Sequence, residues 1–354
     1  MAHGGTGKST FLLVTTFAVV ALVLSPTATT QSTGSSFTLN ETQLLDVQRR
    51  ANAGEVEAEY TLGAAHRSGG PLLEQNDREA VSWFRKAADQ AFPKAQTQLG
   101  YAYATGKGVA QDFRESFRWF SKAAQQGDPN AEYELGLFYL LGRAVPRNES
   151  RASEWFSMSA RKGITAAQCA LGFMYSKGQG VRRDLAQAFA LQHEAAQKGF
   201  AQAQNELGVM ILRGEGTARD PAEAARWFQA GAQQGDTDAQ NNLGYLYDIG
   251  LGVKRNPNEA VRWFKAAADI GDPVAQVNLG GMYSRGRGVP LDYVEAYKWF
   301  SLAASHNLPI AIQAREGLSS IMTPRQLSAA QSRISAWQSR QAPVTETNPQ
   351  ERIV

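Results

Sequence analysis

The chain has 354 residues, with 36 lysines and arginines against 33 aspartates and glutamates, a formal net charge of +3. Such a nearly neutral chain has no general electrostatic attraction for nucleic acid, which argues against that class of partner. The single cysteine, Cys169, excludes an intramolecular disulfide.

Residues 1–30 are predicted to be a secretory signal peptide. An apolar stretch at 11–24 follows Lys8 and precedes small and polar residues at 25–30, which is the pattern of an export signal. The stretch is short for a membrane span, which needs about 20 apolar residues. The sequence therefore predicts a periplasmic or secreted protein, with an uncleaved N-terminal membrane anchor as the alternative.

The glycines ahead of this stretch, ending in Gly7-Lys8-Ser9, fit a relaxed form of a phosphate-binding loop. Such a loop works because a buried strand delivers it to the N-terminus of a helix. Only Met1, Ala2 and His3 stand before the glycines. We therefore interpret the segment as a flexible leader and not as a nucleotide site.

Tryptophan recurs every 36 residues, or after 72 where Leu191 takes its place: Trp83, Trp119, Trp155, Trp227, Trp263 and Trp299. A Leu-Gly pair precedes each position, at 62–63, 99–100, 135–136, 171–172, 207–208, 243–244 and 279–280. Self-similarity at this period is typical of stacked helical hairpins. The sequence predicts seven repeats over residues 56–306.

Each repeat is predicted to form two helices. Ala95, Leu99 and Tyr103 give the first helix an apolar stripe, and Gly106 and Gly108 end it. The second helix begins at an Asn or Asp, which can cap its free amides: Asn76, Asp112, Asn148, Asp184, Asp220, Asn256 and Asp292. In six of the seven repeats a Glu or Gln follows three residues later, which predicts a capping box.

The repeated residues are predicted to pack the hairpins together. Gly100 and its equivalents let the two helices approach closely, while Trp119 and Phe120 fill the space between one hairpin and the next. The fourth repeat has Leu191-Gln192 in place of Trp-Phe, which predicts weaker stacking there. This difference is either a tolerated substitution or a functional soft joint.

Both ends of the repeat array are predicted to be capped. Residues 31–55 hold a linker and an N-terminal capping helix that opens at Asn40, with Gln43 completing a capping box. Residues 307–340 hold C-terminal capping helices, the last of which opens with a second capping box, Thr323 to Gln326. Residues 341–354 are polar and are predicted to be a disordered tail.

The repeated pattern resembles the Sel-one-like repeat family, a relative of the tetratricopeptide repeat. It reads Ala-Gln-x-x-Leu-Gly-x-x-Tyr, then Gly-x-Gly-Val, then Glu-Ala-x-x-Trp-Phe-x-x-Ala-Ala. The resemblance implies an all-α, right-handed solenoid that serves as a scaffold or adaptor for a partner protein or extended peptide. An exported member without further domains is similar to bacterial periplasmic ones.

The resemblance also places a partner on the concave side, which is lined by the first helices. Residues between the stripe positions are then expected to face outward, as an amide ladder in the C-terminal half and an aromatic surface in the N-terminal half. The alternative is an ordinary solvated helix surface. The predicted partner-binding residues are Tyr101, Tyr133, Phe173, Asn205, Asn241, Asn242, Tyr245 and Asn278.

No catalytic centre, metal site or cofactor site is predicted. Ser159 and Lys162 match a Ser-x-x-Lys pattern, but the companion Ser-Asp-Asn and Lys-Thr-Gly patterns of penicillin-recognising enzymes are absent. Ser159 also takes a position that alanine fills in other repeats, so we interpret it as a packing residue. A cell-wall or penicillin-directed hydrolase is kept as the alternative function.

Overall fold

The computed structural model describes residues 39–341, whose regular elements are all helices. These residues form two compact units, an N-terminal unit of 39–203 with 215–217 and a C-terminal unit of 204–214 with 218–341. The predicted signal peptide, the linker up to residue 38 and the tail from residue 342 lie outside the described residues. Among the described helices, none is both long and apolar enough to cross a membrane.

The helices of the N-terminal unit are α1 (Glu41–Asn52), α2 (Val56–Ser68), α3 (Asp77–Asp89), α4 (Pro93–Thr105), α5 (Phe113–Gln125), α6 (Pro129–Leu141), α7 (Glu149–Arg161), α8 (Thr165–Lys177) and α9 (Leu185–Gln197). The C-terminal unit, which takes α10 from residue 204 onward, has α10 (Ala201–Arg213), α11 (Pro221–Gln233), α12 (Thr237–Ile249), α13 (Pro257–Ile270), α14 (Pro273–Arg285), α15 (Tyr293–Ala304), α16 (Pro309–Ser319) and α17 (Pro324–Gln341).

Within each unit, helices that follow one another in the chain pack against one another. The pairs α2–α3, α4–α5, α6–α7 and α8–α9 are hairpins of the N-terminal unit, and α12–α13 and α14–α15 are hairpins of the C-terminal unit. In the same unit α10 and α11 form a further hairpin, in which Gly208 faces the Phe228 ring. The predicted all-α solenoid of helical hairpins in sequence order is confirmed.

The second helix of every hairpin starts at the predicted N-cap, but the capping boxes predicted there are wrong. The cap side chain accepts from first-turn amides, as Asp112 does from Arg114 and Glu115 at 2.8 and 3.1 Å. The backbone amide of the cap residue does not pair with the acid three positions on. It donates to a carbonyl of the first helix, as Asp112 does to Tyr103 at 2.9 Å. The Tyr103 carbonyl therefore takes the place of the glutamate side chain as the acceptor, and this hydrogen bond connects the hairpin loop to the first helix.

The repeated glycine of the first helix accommodates the phenylalanine ring of the second. A Cβ added at Gly100 would lie 2.5 Å from the Phe120 ring, and one added at Gly244 would lie 2.8 Å from the Phe264 ring. Each of these rings is fully buried. The predicted close approach of the two helices is therefore confirmed. Phe120 also packs against the next hairpin, as predicted, with its ring centroid 6.0 Å from that of Phe138.

The tryptophans pack against the preceding hairpin, as predicted. Trp119 of the second repeat joins the apolar cluster around Phe84 of the first, and Trp299 joins the cluster around Phe264. In the fourth repeat Gln192 fills the place of the phenylalanine and donates through Nε2 to the carbonyl of Cys169 at 3.0 Å. The soft-joint hypothesis for this repeat stays a prediction.

Short capping motifs open the helices at both ends of the described chain. The backbone amide of Gln43 donates to Asn40 Oδ1 at 2.9 Å, and the backbone amide of Asn40 donates to Gln43 Oε1 at 3.0 Å, which is the predicted capping box. At α17 the amide of Gln326 donates to Thr323 Oγ1 at 3.3 Å, and the Thr323 amide donates to Gln326 Oε1 at 2.9 Å. The apolar face of α17 packs onto the last hairpin, where the ring centroids of Trp337 and Trp299 are 6.4 Å apart.

One alanine occupies a backbone conformation that favours glycine. Ala144 has φ 55°, at the repeat position where Gly108 and Gly180 have φ of 75° and 65°. Left-handed conformations strain residues that carry a Cβ. We therefore expect Ala144→Gly to raise the free energy of unfolding by about 1 kcal/mol in urea titration. The reverse change, Gly180→Ala, should destabilise, because its Cβ would clash with the backbone of Glu149; equal effects at both sites would contradict this account.

Candidate functional site

The four asparagines predicted to face a partner are buried between repeats of the C-terminal unit. Asn242 donates through Nδ2 to Oδ1 of Asn205 at 2.9 Å. Asn278 donates in the same way to Asn241 at 2.8 Å. All four side chains are buried. The prediction that they face outward is wrong, because their amides join one first helix to the next.

The predicted aromatic residues are also largely covered. Tyr133 is buried and packs on Phe156 with ring centroids 5.6 Å apart, so it too was wrongly placed on the surface. Tyr101, Phe173 and Tyr245 are partly buried. An internal first helix has neighbours before and after it in the stack, and they cover positions that would be open on an isolated hairpin. Of these aromatic side chains, Tyr101 lines the cavity described next.

A cavity of about 400 Å³ lies in the first repeats of the N-terminal unit. Its walls come from α2, α3 and α4, with Asn130 of α6 at one side. Phe84 and Tyr101 supply apolar surface, while Arg67 and Thr97 supply polar groups. A concave site with a few convergent polar groups on an apolar wall is the usual form of a ligand-binding site.

Arg67 is the cation that dominates this cavity. Its guanidinium carbon lies 5.4 Å from the centroid of the Phe84 ring, and Nη1 donates to Gln98 Oε1. Burial lowers the pKa of Arg67, an effect that nearby Tyr60 and Asp77 oppose. Within the described part of the chain, no carboxylate forms an ion pair with it. The site therefore holds a partly desolvated positive charge that no carboxylate of the described chain neutralises in an ion pair.

A hydroxyl group in the same cavity lacks a hydrogen-bond partner. Thr97 is only 3% exposed, yet its Oγ1 contacts no donor or acceptor among the described residues. Leaving a buried hydroxyl unsatisfied costs about 1–3 kcal/mol, so this atom is expected to gain from a ligand. Next to it in the cavity wall, the Tyr101 ring packs edge-on against Phe120 at 5.2 Å.

A carboxyl group with a raised pKa accompanies Tyr101. Burial raises the pKa of Glu134 to about 7, although a hydrogen bond from Tyr101 and the charge of Arg143 oppose the rise. At neutral pH this carboxyl is therefore divided between its neutral and ionised forms. It does not line the cavity itself.

Arg67 was not singled out by the sequence reasoning, although the repeats carry a signal for it. The equivalent positions in five other repeats hold the uncharged residues Ala104, Leu140, Ser176, Leu212 and Ser284. The sixth repeat holds Asp248, which is buried and pairs with Arg287 at 2.5 Å. Arg67 and Asp248 are therefore the two charged residues at a position that is uncharged in the other repeats. Of these two, only Asp248 forms an ion pair in the described chain.

The Ser-x-x-Lys residues have structural partners. Ser159 Oγ donates to the Pro129 carbonyl at 2.7 Å, and the residue is fully buried. Lys162 Nζ pairs with the buried carboxylate of Glu132 at 2.5 Å. The interpretation of Ser159 as a packing residue is confirmed. Across residues 39–341, no group of three or more His, Cys, Asp or Glu side chains has the arrangement of a metal site.

The C-terminal unit contains a cluster of carboxyl groups around Asp238. Burial and, to a smaller extent, the nearby charges of Asp236, Asp272 and Glu206 together raise the pKa of Asp238 to about 8. The side chains of Asp236 and Asp272 cap α12 and α14 by accepting from first-turn amides. The carboxylates of Asp236 and Asp272 therefore stabilise the starts of α12 and α14, but their negative charges repel the nearby carboxylate of Asp238.

The carboxyl cluster predicts that stability falls as the pH rises. Because the pKa of Asp238 is near 8 in the folded chain and 3.8 without the fold, only the folded state holds this proton between those values. The free energy of unfolding therefore falls as the pH rises from about 4 towards 8, and the effect levels off above 8. We expect a loss of about 1–2 kcal/mol between pH 6 and pH 9 by urea titration, reduced for partial solvent screening. Asp238→Asn should flatten this slope, and an unchanged slope would contradict the assignment.

Comparisons with known proteins identify the repeats. A family model described as Sel1 repeat matches residues 56–92, 93–128, 129–164, 165–200, 201–236, 237–272 and 273–308. The solved structure of a Sel1 repeat protein from Oxalobacter formigenes is 32% identical, with a TM-score of 0.61 and 85% of each chain covered. A protective antigen of uropathogenic Escherichia coli strains, solved with an SLR fold, is 27% identical, with a TM-score of 0.53 over 85% of this chain and 80% of that one.

Among curated proteins, none matches the chain. The family assignment instead rests on the repeat matches, which run without a gap from residue 56 to residue 308. They cover most of the 354 residues and coincide with the helical hairpins α2 to α15. The chain belongs to the Sel1 repeat family.

Proposed function

We propose that the chain is a non-catalytic interaction scaffold, and that a partner protein inserts an extended segment into the cavity of the N-terminal unit. Stacked helical repeats are typical scaffolds for protein partners. The observation that carries the site is the half-buried Arg67 without an ion pair, set beside the unsatisfied hydroxyl of Thr97. The nearly neutral net charge favours a protein partner over nucleic acid.

The geometry suits a segment of chain better than a flat protein surface. The cavity is about 400 Å³, within the range of sites that bury most of a small ligand. Its polar groups lie on first helices, and its apolar wall includes the ring of Phe84. A few residues of extended peptide could therefore bury a side chain or a chain end there while their backbone stays outside.

Site-specific photo-crosslinking in cells tests this proposal. A photoreactive amino acid at Lys107, an exposed residue that lines the cavity, should yield a discrete crosslinked partner. The same amino acid at Glu154, an exposed residue of α7 outside the cavity, is the matched control and should not. Identical products from both positions, or none from either, would reject the cavity as the partner site.

We also propose that the chain is exported, on the strength of the apolar stretch at 11–24. Fusing residues 1–30 to an alkaline phosphatase that lacks its own signal should give active enzyme outside the cytoplasm of a bacterial host. Deleting 11–24 from the fusion should abolish that activity. The size of the mature fusion would separate a cleaved leader from an uncleaved membrane anchor.

A further inference from the structure

We infer that the cavity of the N-terminal unit recognises a carboxylate, which Arg67 binds and the Thr97 hydroxyl supports. This inference rests on the proposed function, because it names the chemical group of the partner that enters the cavity. Its starting point is the contrast between two equivalent repeat positions. Asp248 is paired with Arg287 inside the fold, whereas Arg67 is left for a group from outside.

Arg67 is oriented for such a group before any ligand arrives. The Phe84 ring lies against the guanidinium, and Gln98 accepts one of its hydrogen bonds. Both contacts restrict the side chain, and the remaining N–H donors stay available. A planar guanidinium matches the two oxygens of a carboxylate, and such bidentate pairs are stronger than bonds between neutral groups.

The second polar group of the cavity can complete the site. The Thr97 hydroxyl is buried without a partner, so it can donate to a carboxylate oxygen at little further desolvation cost. A hydroxyl that served only the fold would be expected to have found an acceptor, since buried polar groups are normally hydrogen-bonded. Thr97 shares this unsatisfied state with other buried groups of the described chain, and its position in the cavity wall is what makes it available to a ligand.

The charges around the cavity favour a single negative charge. Arg67 and Lys107 are the cations of its lining, and Asp77 is the anion. These three side chains sum to a net charge of +1, which one carboxylate neutralises, whereas a phosphate monoester, with about −1.5 to −2 charges at pH 7, would leave an excess of negative charge. A chain-terminal carboxyl group and a Glu or Asp side chain share the favoured chemistry.

Three N-acetylated, unlabelled hexapeptide pools, measured by isothermal titration calorimetry at low salt, test the inference. The first contains uncharged residues and a free carboxyl terminus, the second is the same pool with a C-terminal amide, and the third is amidated and carries one glutamate. We expect the carboxylate-bearing pools to bind at least tenfold more tightly than the uncharged amide pool. A preference for the first or the third pool shows whether a chain end or a side chain is the source.

Variants of the lining residues show whether the carboxylate is read at Arg67. Arg67→Gln should remove the preference for carboxylate, and Arg78→Gln, at an exposed arginine of α3 outside the lining, should keep it. Thr97→Val should weaken binding of the carboxylate pools about five- to tenfold while the urea midpoint of the free protein stays equal or rises. A purely structural role for Thr97 would instead lower that midpoint.

The outcomes separate this inference from the function it rests on. Equal affinity for all three pools, unaffected by Arg67→Gln, overturns the carboxylate inference and leaves a peptide-binding cavity. No binding by any pool at millimolar concentration also overturns it, while the crosslink from position 107 reports independently on the scaffold function. A crosslinked partner whose capture is insensitive to Arg67→Gln would count against the inference in the same way.

Discussion

Gly136→Ala should lower the free energy of unfolding by about 2 kcal/mol, even though alanine is the better helix former. A Cβ at Gly136 would lie 2.5 Å from two carbons of the Phe156 ring. Phe156 is fully buried, so the ring has no free space into which it could move. Overpacking of this kind costs about 1–3 kcal/mol or more, which exceeds the gain of about 1 kcal/mol in helix propensity.

The fourth repeat supplies the matched control. A Cβ at Gly172 would lie 3.0 Å from the side-chain nitrogen of Gln192, so this buried side chain would have to shift by only a few tenths of an ångström. Gly172→Ala should therefore stay within about 1 kcal/mol of the natural chain, because the gain in helix propensity offsets that shift. Urea unfolding of both variants measures the difference. Equal effects would show that the glycine is not required by the phenylalanine ring.

The features that could be predicted from the sequence are those that each repeat specifies by itself. The cap at Asp112 and the close approach at Gly100 depend on residues of one hairpin, and all seven repeats have an Asn or Asp at the first position and a glycine at the second. The local preference of these residues and the repeat pattern predict the same features. The structure contains both the cap at Asp112 and the close approach at Gly100. The capping box failed because it assumed a local acceptor for the Asp112 amide, whereas the fold supplies the Tyr103 carbonyl.

The candidate site was predicted less well, because its surface depends on contacts between repeats. Asn205 is polar and lies between stripe positions, which on a single helix predicts exposure. Whether it faces solvent depends on the residue 37 positions later, and Asn242 covers it and pairs with it. Arg67 could have been noticed as a departure from the repeat pattern, but its lack of an ion pair could not be known before its neighbours in space were placed.

In each of the second and third repeats, a residue of the first helix bonds to the residue that follows the second helix. The pair is neutral in the second repeat and charged in the third. Gln126 donates to Gln96 at 2.8 Å in the second repeat. The third repeat holds Lys162 and Glu132 at the corresponding positions, as an ion pair of 2.5 Å. The Glu132 side chain is fully buried, while that of Lys162 is 40% exposed. The carboxylate therefore carries most of the desolvation cost and depends on its cation.

Lys162→Met should destabilise the chain by about 3 kcal/mol at pH 8, because it leaves a buried carboxylate without its counter-charge. The amine also donates to the Gly127 carbonyl at 2.9 Å, and this bond is lost as well. Urea titration at pH 8 measures the loss.

The second repeat provides the rescue for this variant. Glu132→Gln combined with Lys162→Gln rebuilds the Gln96–Gln126 pair in the third repeat, so the double variant should lie within about 1 kcal/mol of the natural chain. A double variant as unstable as Lys162→Met would mean that the loss came from packing of the lysine stem. Recovery would show that the hairpin needs a satisfied pair at this position and that charge is one of two ways to supply it.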